Sequence, residues 1–280
     1  MRLSLAFSSC PNDTYIFHAL VNGCIDTKGI EFDVTLADVE TLNQKAARGA
    51  YDVTKLSFAA FALLRDQYRI LRTGAALGRG CGPLVVGLPE SRLQETLKPR
   101  IAVPGMKTTA TFLFRLFLGD LDETVEPDLV PMPFEQIMPA VLDKTVDFGV
   151  VIHEGRFVYQ GLGLSLVRDL GRWWEEYSGL PVPLGCIAVK KELEGNTART
   201  VEELIERSIR YAGENPGAGD AYIRRHAKEL GREVIDRHIE LYVNRFSENL
   251  GEEGEQAVAA FIRKVESGKI VPESGAPLFI

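Results

Sequence analysis

The sequence predicts an α/β protein of two lobes. Three observations carry this. Short apolar runs of strand length alternate with segments of helical periodicity from the start of the chain. A second series of the same kind begins near Arg100. From about Glu192 the texture changes to charged segments with apolar residues at helical spacing. Alternating strands and helices imply largely parallel sheets covered by helices.

In order, Leu3 to Phe7 reads as a strand, broken by Pro11-Asn12-Asp13. Asn12 or Asp13 can cap a helix through Tyr15, Phe17, Leu20 and Val21. Glu31 to Leu36 is a second strand, and Asp38 caps a helix bearing Val39, Leu42 and Ala46. Tyr51 to Thr54 is a third strand and Phe58 to Arg65 a third helix. Between Tyr68 and Leu88 two apolar runs flank Gly78-Arg79-Gly80-Cys81-Gly82-Pro83, a turn between strands. The second series has strands at Ile101 to Val103, Asp128 to Met132 and Phe148 to Ile152. Its helices run from Thr109 to Phe117 and from Phe134 to Leu142, and Leu184 to Val189 is a return strand. The final helices present Val201, Leu204, Ile205, Ser208 and Ile209, then Val234, His238, Leu241 and Tyr242, then Ala257, Ala260, Phe261 and Val265. The predicted organisation is a large lobe of residues 1–96 and 191–280, with a small lobe, 97–190, inserted in it.

Composition narrows the function. A chain of 280 residues suits two lobes and buries enough surface to need no staples. The net charge of -7 gives no basic footprint, which argues against nucleic acid as the main partner. It does not argue against a small anion, since a pocket sets its own local field. The four cysteines lack metal-ligand spacing and read as free thiols of a reducing compartment. Arg2 and the residues to Cys10 faintly mimic a lipoprotein signal, but the apolar stretch is only about five residues, short of a signal core. No run is long enough to span a membrane. The expectation is a cytoplasmic protein with no membrane partner; the oligomeric state stays open, a dimer included.

Four polar clusters each follow a predicted strand: Ser8 to Asp13, Lys55 to Ser57, Lys107 to Thr109, and His153 to Arg156. Ligands of open α/β sheets bind beyond the carboxyl ends of strands. His153 is the candidate base, because an unperturbed imidazole titrates near neutrality. His18 reads as packed, and His226 and His238 as remote from the strand ends. Thr108 and Thr109 stand at a helix start, where they serve as a plain cap or hold an anion. Lys55 and Ser57 hold an anion or are a surface lysine and an ordinary cap, and Asn12 and Asp13 carry the same ambiguity. The glycine-rich turn lacks the G-K-[ST] ending of a phosphate loop and reads as a tight turn with backbone brought close to a ligand. Trp173 and Trp174 are core residues, or one of them covers an aromatic ligand.

Several blocks together resemble the 1,4-dihydroxy-6-naphthoate synthase family. They are Ser9-Cys10-Pro11-Asn12-Asp13-Thr14, Asp38-Val39-Glu40-Thr41-Leu42-Asn43, Thr54-Lys55-Leu56-Ser57, Ala75 to Leu84, Ile152-His153-Glu154-Gly155-Arg156-Phe157, Asp169 to Glu175, and Gly179 to Gly185. The order is kept and the match covers nearly the whole chain. The family usually has proline where Ser9 stands. The resemblance implies a two-lobed fold like type II periplasmic binding proteins, with a ligand cleft between the lobes. It implies the futalosine route to menaquinone, with cyclic dehypoxanthine futalosine, a small acidic molecule, as substrate and no metal or organic cofactor. It assigns His153 as proton acceptor and substrate contacts to Lys55, Leu56, Ser57, Thr109 and Ala110. Asn12 and Thr108 join the candidate site from their positions. Two alternatives stand beside this: a chorismate dehydratase-like enzyme of the same pathway, and a non-catalytic small-anion binding protein.

Overall fold

The structure, a computed structural model, describes residues 1–96, 98–120, 126–227 and 231–280. The chain divides into two units, Met1–Gly78 with Pro183–Ile280, and Arg79–Val182.

The first unit opens with β1 (Arg2–Phe7), α1 (Pro11–Val21), β2 (Glu31–Leu36), α2 (Val39–Ala46), β3 (Val53–Ser57), α3 (Phe58–Leu63), β4 (Tyr68–Ile70) and β5 (Ala76–Gly78). The second holds β6 (Leu84–Gly87), β7 (Arg100–Val103), α4 (Thr109–Asp120), β8 (Asp128–Pro131), α5 (Phe134–Leu142), β9 (Phe148–Val151), α6 (Gly155–Val158), β10 (Ser165–Asp169) and α7 (Leu170–Ser178). The chain returns through β11 (Val182–Lys190) and ends in α8 (Gly195–Glu214), α9 (Asp220–His226), α10 (Arg232–Tyr242), α11 (Arg245–Glu248) and α12 (Gly251–Ser267). Among the described residues no helix is long and apolar enough to cross a membrane.

The two sheets follow one plan. The first runs β2-β1-β3-β11-β4, with β5 added on β11; the second runs β8-β7-β9-β6-β10. In each, one strand, β1 or β7, is flanked by two parallel partners, and an antiparallel strand follows beyond β3 or β9. The sheets are therefore mixed, where a largely parallel arrangement was predicted. β6 pairs with β9 and β10, and β11 pairs with β3 and β4. Those pairings move the boundaries from 96/97 and 190/191 to 78/79 and 182/183. Residue 97, the predicted start of the small lobe, lies outside the described residues.

Each unit has its own core. In the first, Leu5 and Phe7 of β1, Val53 of β3 and Ile187 of β11 meet Phe17 of α1 and Val201, Leu204 and Ile205 of α8. Phe7 and Phe17 stack with ring centroids 4.4 Å apart. Ser208 sits on the apolar stripe of α8 because its hydroxyl works: it donates to the Ile16 carbonyl at 2.6 Å and accepts from the Leu20 N–H at 3.1 Å. In the second unit, Leu84, Val86, Ala102 and Val151 pack on Ile137 and Val141 of α5. The buried face of α10 is Ile235, His238 and Tyr242, so the predicted Val234 and Leu241 are only half-buried.

The glycine-rich turn packs backbone on backbone. A Cβ at Gly171, in the first turn of α7, would lie 1.8 Å from the Cys81 carbonyl oxygen, and one at Gly82 would lie 2.7 Å from the Gly171 Cα. The close approach of this turn is made to α7, where the sequence suggested a ligand. Gly171→Ala is expected to cost about 1–3 kcal/mol through overpacking, read as a lower midpoint in denaturant unfolding. A loss below about 0.5 kcal/mol would show that the turn yields freely.

Candidate active site

In the first unit, β1 and β3 are parallel neighbours, so the loop after Phe7 and the end of β3 leave the same edge of the sheet. α1 starts at Pro11 with Cys10 as its cap residue and no side-chain cap bond, in place of the predicted Asn12 or Asp13 cap. Pro11 suits this first position, having no N–H to satisfy. Asp13 is freed for another role and is fully buried. Its Oδ2 accepts from the Ser8 N–H at 3.1 Å and the Ser8 hydroxyl at 2.7 Å. Its Oδ1 accepts from Asn12 Nδ2 at 2.9 Å and from Lys55 Nζ at 2.6 Å. Lys55 is therefore no surface lysine: its side chain is 6% exposed and its charge is matched by Asp13. Charge-assisted bonds of this length are the strong class.

Ser57 precedes α3 but makes no side-chain cap bond. Asn43 of α2 clasps it from both sides: Asn43 Nδ2 donates to the Ser57 hydroxyl at 3.1 Å, and the Ser57 N–H donates to Asn43 Oδ1 at 3.0 Å. Leu56 is fully buried. β11 runs beside this strand, pairing Gly185 with Ser57 and Ile187 with Lys55. A Cβ at Gly185 would come within 3.1 Å of Lys55 Cε, so a glycine there leaves room for the lysine stem.

In the second unit, β7 and β9 are parallel neighbours, and the segments after them again leave one sheet edge. Thr108 does cap α4: its hydroxyl accepts from the Thr111 N–H at 3.3 Å and donates to the Gly105 carbonyl at 2.8 Å. Thr111 donates to the same carbonyl at 2.7 Å. Thr108, Thr109 and Ala110 are all buried at the first turn, where helical N–H groups lack intrahelical acceptors.

His153 follows β9 with φ 54°, a left-handed backbone rare outside glycine. The ring is half-buried and meets Phe134 edge-on, with centroids 5.1 Å apart. Held strain of this kind clusters at functional positions. Arg156, one turn on, pairs with Asp169 at 2.6 Å and donates to the Gly80 and Gly82 carbonyls at 3.1 Å each. Asp169 in turn caps α7 by accepting from the Arg172 N–H. The I-H-E-G-R-F block is thus tied to the glycine turn and to α7.

Other candidates resolve into structure. Trp174 is buried and its indole N–H donates to the Pro181 carbonyl at 3.2 Å. Trp173 is buried too, against Phe117 and Tyr177. Arg79 donates to the Gly179 carbonyl at 3.0 Å. All four cysteines are free thiols. Burial pushes Cys81 and Cys186 up to about 12, which removes them as nucleophiles at neutral pH. Among the described residues no group of three or more His, Cys, Asp or Glu side chains could hold a metal ion.

Residues 3–267 match the family model described as "Menaquinone biosynthesis". The chain is 45% identical to the 1,4-dihydroxy-6-naphthoate synthase of Thermus thermophilus, over 99% of each chain. It is 41% identical to the enzyme of that name from Streptomyces coelicolor, over 98% of this chain and 96% of the other. The chain belongs to the 1,4-dihydroxy-6-naphthoate synthase family. That places it among the lyases of menaquinone biosynthesis. A crystal structure of an Archaeoglobus fulgidus protein superposes with a TM-score of 0.88 at 37% identity, covering 96% of this chain and 98% of that one. A Candida albicans protein described as having the generic periplasmic binding protein fold gives a TM-score of 0.72 at 12% identity, covering 98% and 92%. The fold predicted from the family resemblance is therefore the one found.

Sequence reasoning missed three residues that organise the site: Asp13 as the hub of the first cluster, Asn43 as the clasp on Ser57, and His238. The last was read as remote from the strand ends. Its Nε2 lies 3.0 Å from Asn12 Oδ1, although 226 residues separate the two.

Proposed function

We propose that this protein is a cytoplasmic carbon–carbon lyase that converts cyclic dehypoxanthine futalosine to 1,4-dihydroxy-6-naphthoate, with His153 as proton acceptor and without a metal or organic cofactor. The observation that carries the reading is the near full-length identity to a synthase of that name. The geometry supports the roles. His153 is half-buried and stands on a left-handed backbone directly after the β9 edge. It takes a proton from the substrate, and the released electron pair drives cleavage of the carbon–carbon bond. The α4 first turn, with Thr108, Thr109 and Ala110, offers oriented donors for substrate oxygens and for developing negative charge. Asn12, Lys55, Leu56 and Ser57 line the corresponding edge of the first sheet. Because Asp13 neutralises Lys55, recognition of the acidic substrate there rests on oriented polar groups more than on net positive charge.

The test is incubation of the purified protein with cyclic dehypoxanthine futalosine and, separately, with chorismate, with products separated by mass. The expected result is naphthoate from the first and nothing from the second. Dehydration of chorismate, or binding without turnover of either compound, would overturn the reading in favour of a pathway sibling or a binding protein.

A further inference from the structure

One side chain of the C-terminal helices reaches into the first cluster. His238 of α10 is fully buried, and its Nε2 faces Asn12 Oδ1 at 3.0 Å. The direction of that bond follows from the neighbours. Asp13, as a carboxylate, only accepts hydrogen bonds, and it already receives Ser8, Lys55 and Asn12. Asn12 must therefore turn its Nδ2 toward Asp13 and its carbonyl oxygen toward His238. The imidazole must then donate, so Nε2 carries a proton. The ring is seated against Tyr242, with centroids 4.6 Å apart. Reversing the Asn12 amide would set its oxygen against the Asp13 carboxylate, an acceptor facing an acceptor.

We propose that His238 is a positioning residue that fixes the Asn12 carboxamide for substrate binding, so that α10 sets the affinity of the first cluster. This rests on the reading of Asn12 as a substrate contact. A chain of His238, Asn12, Asp13 and Lys55 then links a C-terminal helix to the end of β3. It explains why a charged, amphipathic helix carries a histidine on its buried face where an aliphatic residue would pack as well.

The experiment is steady-state kinetics with cyclic dehypoxanthine futalosine on His238→Gln, His238→Phe, Asn12→Ala and the Asn12→Ala/His238→Phe pair. Glutamine keeps a donor, whereas phenylalanine keeps an aromatic ring and removes the donor. His238→Phe is expected to raise KM about tenfold with kcat within about threefold, and His238→Gln to stay within about threefold in KM. In the Asn12→Ala background the His238→Phe change should have no further effect, since it acts through that amide. Equal losses in the Gln and Phe variants, or independent effects of Asn12 and His238, would reduce His238 to packing. An unchanged KM in His238→Phe alone overturns the proposal and leaves the Asn12 reading standing. An unchanged KM in Asn12→Ala overturns that reading and the proposal with it. Should the variants fail to fold, ¹⁵N NMR of the wild-type imidazole decides: a protonated Nε2 is required, and a bare Nε2 refutes the arrangement.

Discussion

His153→Asn is expected to lower kcat about 10²–10⁴-fold, the usual contribution of a positioned base, while product still binds and the melting temperature holds. Asparagine is chosen because it tolerates the left-handed region, as histidine does, so the φ of 54° survives the change. Its amide accepts no proton at neutral pH. Alanine in the same place adds a backbone penalty of about 1–2 kcal/mol, which mixes lost chemistry with lost geometry. The pair of variants separates the two: both lose turnover, and only the alanine loses stability. Single-turnover measurement of naphthoate release, with product affinity by calorimetry, checks this. A His153→Asn enzyme within tenfold of wild type would remove His153 as the proton acceptor.

The second large effect is on stability. Asp13→Leu leaves the Lys55 ammonium buried without a counter-charge and strips acceptors from both the N–H and the hydroxyl of Ser8. Breaking a buried pair from one side costs about 3–5 kcal/mol. Adding Lys55→Met is expected to recover the part due to the unpaired ammonium, but not the part due to Ser8 and Asn12, which still lack their acceptor. The double variant should fold and still turn over poorly, for the polar edge is gone. Denaturant unfolding of the two variants measures the coupling. A loss below about 1 kcal/mol for Asp13→Leu alone would mean that water reaches the pair.

Much of this was legible in the residues themselves, and the rest was not, for definite reasons. Local rules found the strands that end in Phe7, Val103 and Val151, and placed the third strand at Tyr51 to Thr54, although it runs from Val53 to Ser57 and so contains the cluster expected to follow it; Asp38 caps α2 as predicted, accepting from the Thr41 N–H. Thr108 satisfies its cap reading through Thr111. Lobe membership of residues 84–87 failed because it depends on pairing with Phe148–Val151, some sixty residues away, and no local period encodes a partner. The glycine turn was read as a close approach to a ligand; its counterpart is the Gly171 backbone, in an element distant in sequence. Asp13 looked like a cap because a helix follows it; Pro11 fills that position, and a carboxylate three residues into the helix takes other donors. His238 gave no signal at all, since its partner lies at the other end of the polypeptide.

The return strand has a consequence for biosynthesis. β3 and β4 do not pair with each other, and it is β11 that runs between them. The second sheet, by contrast, draws all its strands from one continuous stretch. On a ribosome adding roughly 5–20 residues per second, the segment Val53–Ser57, buried in the finished fold, therefore waits on the order of ten seconds with one flank unpaired, while the whole inserted unit is made. An uncapped strand edge is a template for intermolecular pairing, so nascent chains are most exposed to aggregation in that interval, before Lys190 leaves the exit tunnel.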